Sequence, residues 1–233
     1  MKTINSFLIL AVLFVFSCTK NSDVIFSNDV DVHIIKVDNI EGSEYVEKIQ
    51  AYIPEASWSQ TIIAETHFEN NGFELHLPFT IPDNSLVPLT NIKEKGISVS
   101  NPKAKWAFMG LKIISTNKSF YHILMLDNSH RQPDNMATKE VVYIYVDCPV
   151  RLSGKVTWKG NPQPPWSSLA LPYQVEITTT YRNLTLVAGW NMVCMEKSFE
   201  SIRNELKKQY YTYSNKNTSD CKWNFIVHHF PEY

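Results

Sequence analysis

His67-Phe68-Glu69-Asn70-Asn71-Gly72-Phe73-Glu74-Leu75-His76 reads as two strands joined by a tight turn. Asparagine and glycine tolerate the positive φ that a hairpin turn requires, and the residues on either side alternate between apolar and polar. With Asn71-Gly72 as a two-residue type I′ loop, Asn70 pairs with Phe73, Glu69 with Glu74, Phe68 with Leu75 and His67 with His76. Phe68 and Leu75 then share a core face, and two histidines with two glutamates share the other. Imidazole and carboxylate suit zinc or a similar ion, which makes His67, His76, Glu69 and Glu74 a candidate metal set. A three-residue loop at Asn70-Asn71-Gly72 would instead put His67 opposite Leu75 and dissolve the set. Ordinary solvent-facing polar residues are the simpler account of the same pattern.

The two-residue period extends along the chain. Val30, Val32 and Ile34 fall on one face while Asp29, Asp31 and His33 fall on the other. Similar runs recur at Tyr45 to Ile53, Thr61 to Phe68, Phe73 to Phe79, Lys105 to Ile114, Ser119 to Leu126 and Val141 to Val146. They continue at Leu152 to Trp158, Tyr173 to Thr179, Leu184 to Val187, Trp190 to Met195 and Lys222 to Val227. Turn clusters such as Pro82-Asp83-Asn84-Ser85 and Ser100-Asn101-Pro102 separate them. Many short strands rich in Val, Ile, Thr and aromatics predict an all-β fold, an antiparallel β-sandwich built as one large unit or two small ones. One stretch breaks the period. Ser198 could cap a helix in which Phe199, Ile202, Leu206 and Tyr210 share a face, so one short helix or an irregular excursion is expected there.

The N-terminus has the build of a bacterial lipoprotein signal peptide. Lys2 supplies a basic start, Phe7 to Phe16 is uninterrupted apolar sequence, and Val15-Phe16-Ser17-Cys18 places a small residue before the cysteine. The run is too short to span a bilayer as a helix. The expectation is a signal peptide over 1–17, cleavage before Cys18, acylation of Cys18 and a tether over 18–28. A β-sandwich-like domain then occupies 29–127, a loop or linker 128–139, and a second β-rich domain 140–233.

The chain carries 22 basic and 23 acidic residues with both signs scattered, which leaves no electrostatic footprint for nucleic acid. Cys148, Cys194 and Cys221 remain once Cys18 is used; three thiols cannot all pair internally, and three single-bridge pairings stay open. Their spacing matches neither a redox CxxC nor a zinc site, and no cofactor is expected.

Trp158 and Trp166 flank Lys159 to Pro165, whose Asn161-Pro162-Gln163-Pro164-Pro165 is stiff and poor in backbone donors. A rigid segment carrying tryptophans is a candidate stacking surface for a sugar or a partner's apolar patch, although the same rings could simply cover an end of the sandwich. Trp106 with Phe108, Trp190 with Met192 and Cys194, and Trp223 with Phe225 read as core strands, the second entered through a glycine turn at Gly189. His228-His229 would point to opposite faces of a strand and makes a poor ligand pair. There is no Gly-x-Ser-x-Gly elbow, no phosphate loop, no His-Glu-x-x-His, and only seven glycines in all.

Asn71-Gly72-Phe73-Glu74-Leu75-His76-Leu77-Pro78, after Ile49-Gln50-Ala51-Tyr52-Ile53, and Leu184-Thr185-Leu186-Val187-Ala188-Gly189-Trp190-Asn191-Met192-Val193 resemble the NGGF-x-L-x-LP and L-x-L-x-x-GWN-x-V patterns of uncharacterised lipoproteins from Bacteroides-type bacteria. Asn71 stands where the first glycine of that pair would be. The resemblance implies a Gram-negative envelope and a β-rich fold, and supplies no catalytic residue.

These readings converge on a non-enzymatic lipoprotein of the cell envelope, lipid-anchored at the outer membrane and facing the periplasm or the exterior. Its expected partner is an envelope protein or a glycan, bound through loops of the sandwich. A structural accessory subunit of a pilus-like assembly and a glycan-active enzyme without a recognisable motif are the alternatives.

Overall fold

The computed structural model describes residues 33–40, 45–54, 59–93, 95–115, 120–127, 138–160, 174–202 and 206–228. The chain is all-β. In order it runs β1 (Ile34–Val37), β2 (Val46–Pro54), β3 (Gln60–His67), β4 (Phe73–His76), a 3-10 turn at Asp83–Ser85, β5 (Val87–Pro88), helix α1 (Thr90–Lys93) and β6 (Ser98–Val99). It continues with β7 (Lys105–Ser115), β8 (Phe120–Asp127), β9 (Thr138–Val146), β10 (Val150–Gly160), β11 (Gln174–Leu186), β12 (Gly189–Ile202), β13 (Leu206–Ser214) and β14 (Lys222–His228).

β1 and β4 form a two-stranded sheet. The remaining strands form a second sheet in the order β3-β2-β7-β8-β9-β12-β13-β11-β10-β6, with β14 added to β8, β5 added to β7, and a further pairing of β7 with β9. Among the described residues all pairings are antiparallel except that of β11 with β13. That exception arises because β13, the return strand of the β12 hairpin, inserts between β12 and β11.

The central strands are buried on both faces, which explains their near-continuous apolar sequence. On β9, Val141, Tyr143 and Tyr145 enter one core, with Trp190 of β12, Ile49 and Ala51 of β2, and Ile35, Val37, Phe73 and Leu75 of the small sheet. Ile144 and Val146 enter the other, with Trp106, Leu152, Tyr181, Leu184, Leu186 and Val193. A fully buried Leu or Ile contributes about 1.5–3 kcal/mol of transfer free energy. The segment from β5 through α1 to β6 joins β7 to β10 and lays Leu89 and Ile97 over this second core.

Several expectations change. Ile34 is 42% exposed while Ile35 and Val37 are buried, so the first strand presents the opposite face from the one the Val30-Val32-Ile34 alternation suggests. The Ser198 stretch is no helix: Ser198 pairs with Tyr210 and Ile202 with Leu206 across a β12–β13 hairpin, and the one short α-helix among the described residues lies at Thr90–Lys93. The two apolar runs around Thr179 and Leu184 are one strand, β11, kinked by a register shift opposite Leu152/Gly154 with Asn183 at φ 46. Residues 128–137 lie outside the described residues, but ladders cross that stretch: β7 and β8 pair with β9, β8 with β14, and β6 with β10. Both cores draw side chains from before and after it.

Candidate functional site

Strands β10, β11, β13 and β12 run on beyond the second core as a four-stranded extension with two unlike faces. On one face, the registers align Lys159, Glu176, Lys208 and Glu200 in a single cross-strand row of alternating charge. Lys159 Nζ meets Glu176 Oε2 at 2.7 Å, and this bond holds the Glu176 carboxyl below its usual range against an opposing push from burial. Thr157 and Thr178 hydroxyls meet at 3.1 Å in the next row, and Tyr210 donates to Glu200 at 3.1 Å. This is a solvated, charge-laced surface.

The opposite face is apolar and aromatic. Its outermost described row is Gly160, Val175, Lys207 and Ser201, with Val175 buried and Lys207 exposed; behind it lie Trp158, Ile177, Gln209 and Phe199, then Val156, Thr179, Tyr211 and Lys197, and then Gly154, Tyr181, Tyr213 and Met195, the rim of the core. Trp158 is 51% exposed. Its indole lies across Gly160, the next residue on that face, where an added Cβ would collide with the ring. Ile177, Gln209, Phe199, Tyr211 and Lys197 are half-buried. Lys197 Nζ sits 5.2 Å from the Phe199 ring centre and 5.8 Å from that of Tyr211. Tyr211 donates to Gln209 Oε1 at 3.0 Å, and burial, with the Glu140 charge, raises its phenol above the ordinary value. Trp166, the other expected stacking ring, lies outside the described residues, as does Cys18.

The metal set does not assemble. Asn70 and Asn71 both have positive φ, at 54° and 58°, and Glu69 and Gly72 exchange backbone bonds of 3.0 and 2.9 Å. The type I′ loop is thus Asn70-Asn71, one residue earlier than expected, so Glu69 lies opposite Gly72 rather than Glu74. The two arms then part: β3 pairs with β2, placing His67 beside Lys48, and β4 pairs with β1, placing His76 beside Ile34. Glu74 and His76 remain together, 2.8 Å apart along one face of β4. Among the described residues no three His, Cys, Asp or Glu side chains converge as a metal-binding group.

The two conspicuous sequence stretches have structural work. Gly72 packs so closely on β1 that a Cβ there would strike the Val37 carbonyl oxygen, which is what fixes the turn. Phe73, Leu75 and Leu77 enter the core. Gly189 has φ +96. Buried Asn191 closes the β11–β12 turn: its amide donates to the carbonyls of Val187 at 2.8 Å and Gly189 at 3.0 Å, and its Oδ1 accepts from Val187 N at 2.9 Å.

Cys194 and Cys221 are buried thiols and Cys148 is partly exposed, with no disulfide among the three. Burial pushes the Cys194 thiol up. No helix among the described residues is long and apolar enough to cross a membrane.

No protein-family model, no curated protein and no solved structure matches the chain. What sequence reading missed is the platform beside Trp158. Ile177, Phe199, Gln209 and Tyr211 come from three different strands, one of them aligned in parallel, and no local signal joins them.

Proposed function

We propose that this chain is a lipid-anchored envelope protein, acylated at Cys18, that binds a partner molecule rather than transforming one. The observation that carries the reading is the two-faced extension: one side a Lys159–Glu176–Lys208–Glu200 charge row, the other an aromatic and apolar row headed by half-exposed Trp158. A half-exposed tryptophan set beside half-buried apolar side chains on a sheet face is the kind of surface that contacts a partner. The lipobox supports a location at the outer membrane, facing the periplasm or the exterior. This reading moves the binding surface from the loops to a sheet face, where strand pairing holds each side chain in place.

The test is metabolic labelling with an alkyne fatty acid together with photo-crosslinking from position 158 in intact cells. Label on the wild type and none on Cys18→Ser, with crosslinks formed from position 158 and absent from position 155 on the charged side, is the expected result. Label that persists in Cys18→Ser removes the anchor, and crosslinking that does not distinguish the two positions removes the binding face.

A further inference from the structure

We propose that the end of the sheet at which the chain enters the fold rests on a zwitterionic bilayer, with Phe79 set into its interface. The proposal rests on the lipid-anchor reading above and adds an orientation to it. Phe79 is 76% exposed, more than any other large apolar side chain among the described residues. Its ring centre lies 4.4 Å from that of His33, the first described residue. The His33 ring in turn borders the β11–β12 turn, where a Cβ added to Gly189 would stand 3.9 Å from it. Gly189 ends a row that the registers carry across the sheet through Val146 and Trp106 to Val87. Val87 is exposed, and so is Ile34, next to His33. Apolar side chains from three segments therefore mark the same end of the molecule.

Two observations choose a bilayer over a protein as the occupant. Cys18 precedes His33 by fifteen residues, so the anchor joins the molecule at this end. Turning the Trp158 end to the membrane would draw that segment along the sheet. The stretch of β12 from Gly189 to Phe199, in the row of Trp158, spans about 34 Å, against a limit of roughly 50 Å for fifteen residues. The second observation is size. A stable protein interface buries about 800 Å² on each partner, far more than three separated side chains supply. A membrane that already holds the acyl chains is present at high effective concentration, and a small contact is enough. Burial of one phenylalanine favours the docked arrangement about ten- to a hundredfold. The polar groups between Phe79 and Val87 suit a headgroup layer without net charge: Lys105 Nζ meets the Asp83 oxygens at 2.6 and 2.7 Å, and Asp147 accepts from the Lys105 backbone at 2.8 Å. In this stance β12 carries the Trp158 face about 34 Å away from the membrane, where partners from the aqueous side reach it.

The acylated full chain would be reconstituted into phosphatidylcholine vesicles whose acyl chains carry bromine, a contact quencher of tryptophan. Phe79→Trp should lose most of the emission that its new indole adds, whereas Lys155→Trp, at the opposite end of the sheet, should lose none. Phe79→Ser should leave the melting temperature unchanged, because the ring it removes lies largely in solvent. Emission at position 79 that is quenched no more than at position 155 overturns the proposal. So does quenching that appears only once phosphatidylglycerol is added, since a charge-driven contact would then replace the apolar one. Mass analysis of the Cys18 peptide separates the two readings. Acyl chains at Cys18 with no quenching at position 79 leave the anchor standing and remove the orientation; a chain without them removes both.

Discussion

The indole N–H of Trp190 donates to the carbonyl oxygen of Pro78 across 2.9 Å, so the two sequence stretches that stand out most in this chain meet in space. Pro78 lies two residues past the end of β4, the strand that begins at Phe73, and Trp190 is the second residue of β12, after the glycine of the turn. Trp190 is 2% exposed and lies edge-on to Tyr145 at 5.4 Å. The bond ties the small β1–β4 sheet region to the centre of the large sheet. Trp190→Phe keeps an aromatic ring but leaves the part-buried Pro78 carbonyl without this donor, at a cost of about 1 kcal/mol. Trp190→Ala adds a cavity, for about 3–5 kcal/mol. Urea unfolding should show the midpoint falling in that order with little change in slope.

The turn at Asn70-Asn71 makes a paired prediction. Asn71 has φ 58, a conformation glycine adopts freely and alanine does not. Asn71→Gly should leave stability nearly unchanged, whereas Asn71→Ala should cost about 1–2 kcal/mol. Gly72→Ala drives a methyl into the Val37 carbonyl and must displace backbone. It should be the most damaging of the three by thermal melting, and an order in which Asn71→Gly is the worst would contradict this account of the loop.

These cases show how much of the molecule could be read from its sequence. Alternation and turn residues suffice for the all-β class, because the period of side-chain direction is local. Register is not local. Asn70-Asn71-Gly72 admits a type I′ loop at either pair, and the choice falls to contact of Gly72 with Val37, more than thirty residues away. Ile34-Ile35 offers apolar side chains to both faces, so the core side follows from pairing with β4 rather than from the run itself. Phe199, Ile202, Leu206 and Tyr210 do fit a helical face, but pairing of Ser198 with Tyr210 satisfies the backbone as a hairpin instead. The Trp158 platform needs four registers at once, which is why only its most exposed ring stood out.

Buried tyrosines should limit stability in alkali. Burial raises the Tyr181 phenol from 10.0 to about 12, and burial likewise raises Tyr143 and Tyr213. Tyr181 and Tyr213 stack with ring centres 5.4 Å apart. The folded chain holds these protons more tightly than the unfolded chain, so below pH 10 both states keep them and the contribution is complete. As pH rises past 10 the unfolded state ionises first, and stability falls until the folded phenols titrate, near 12 for Tyr181. Urea midpoints measured across this range should decline steadily, with phenolate absorbance from the buried tyrosines appearing together with unfolding. A midpoint flat through pH 11 would show that these phenols are not protected.

Thiol chemistry should separate the cysteines. Cys194 and Cys221 are buried while Cys148 is partly exposed, and the thiolate that reacts is disfavoured at Cys194 by burial. A disulfide reagent should therefore titrate Cys148 first in the native protein, with Cys194 and Cys221 following only on denaturation. The total carries a second message. Of the four cysteines in the sequence, acylation would remove Cys18, so the denatured, reduced lipoprotein isolated from membranes should give three thiols rather than four.

Trp158 should behave unlike Trp106, Trp190 and Trp223. Trp106 and Trp190 are buried in the two cores, and Trp223 packs half-buried against the first; removing any of them removes core contacts. Trp158 stands near the far end of β10, half exposed, with its ring across Gly160. Its replacement by alanine should change unfolding free energy by no more than about 0.5 kcal/mol, the range for surface substitutions. The Lys159–Glu176 bond on the opposite face lies next to it in sequence yet points away, so Lys159→Ala is the matched control: equally mild for stability and silent for binding. If Trp158→Ala unfolded the protein as Trp190→Ala should, the ring would be a structural cover for the sheet end. If stability held while binding was lost, the exposed ring would be kept for contact with something outside the chain.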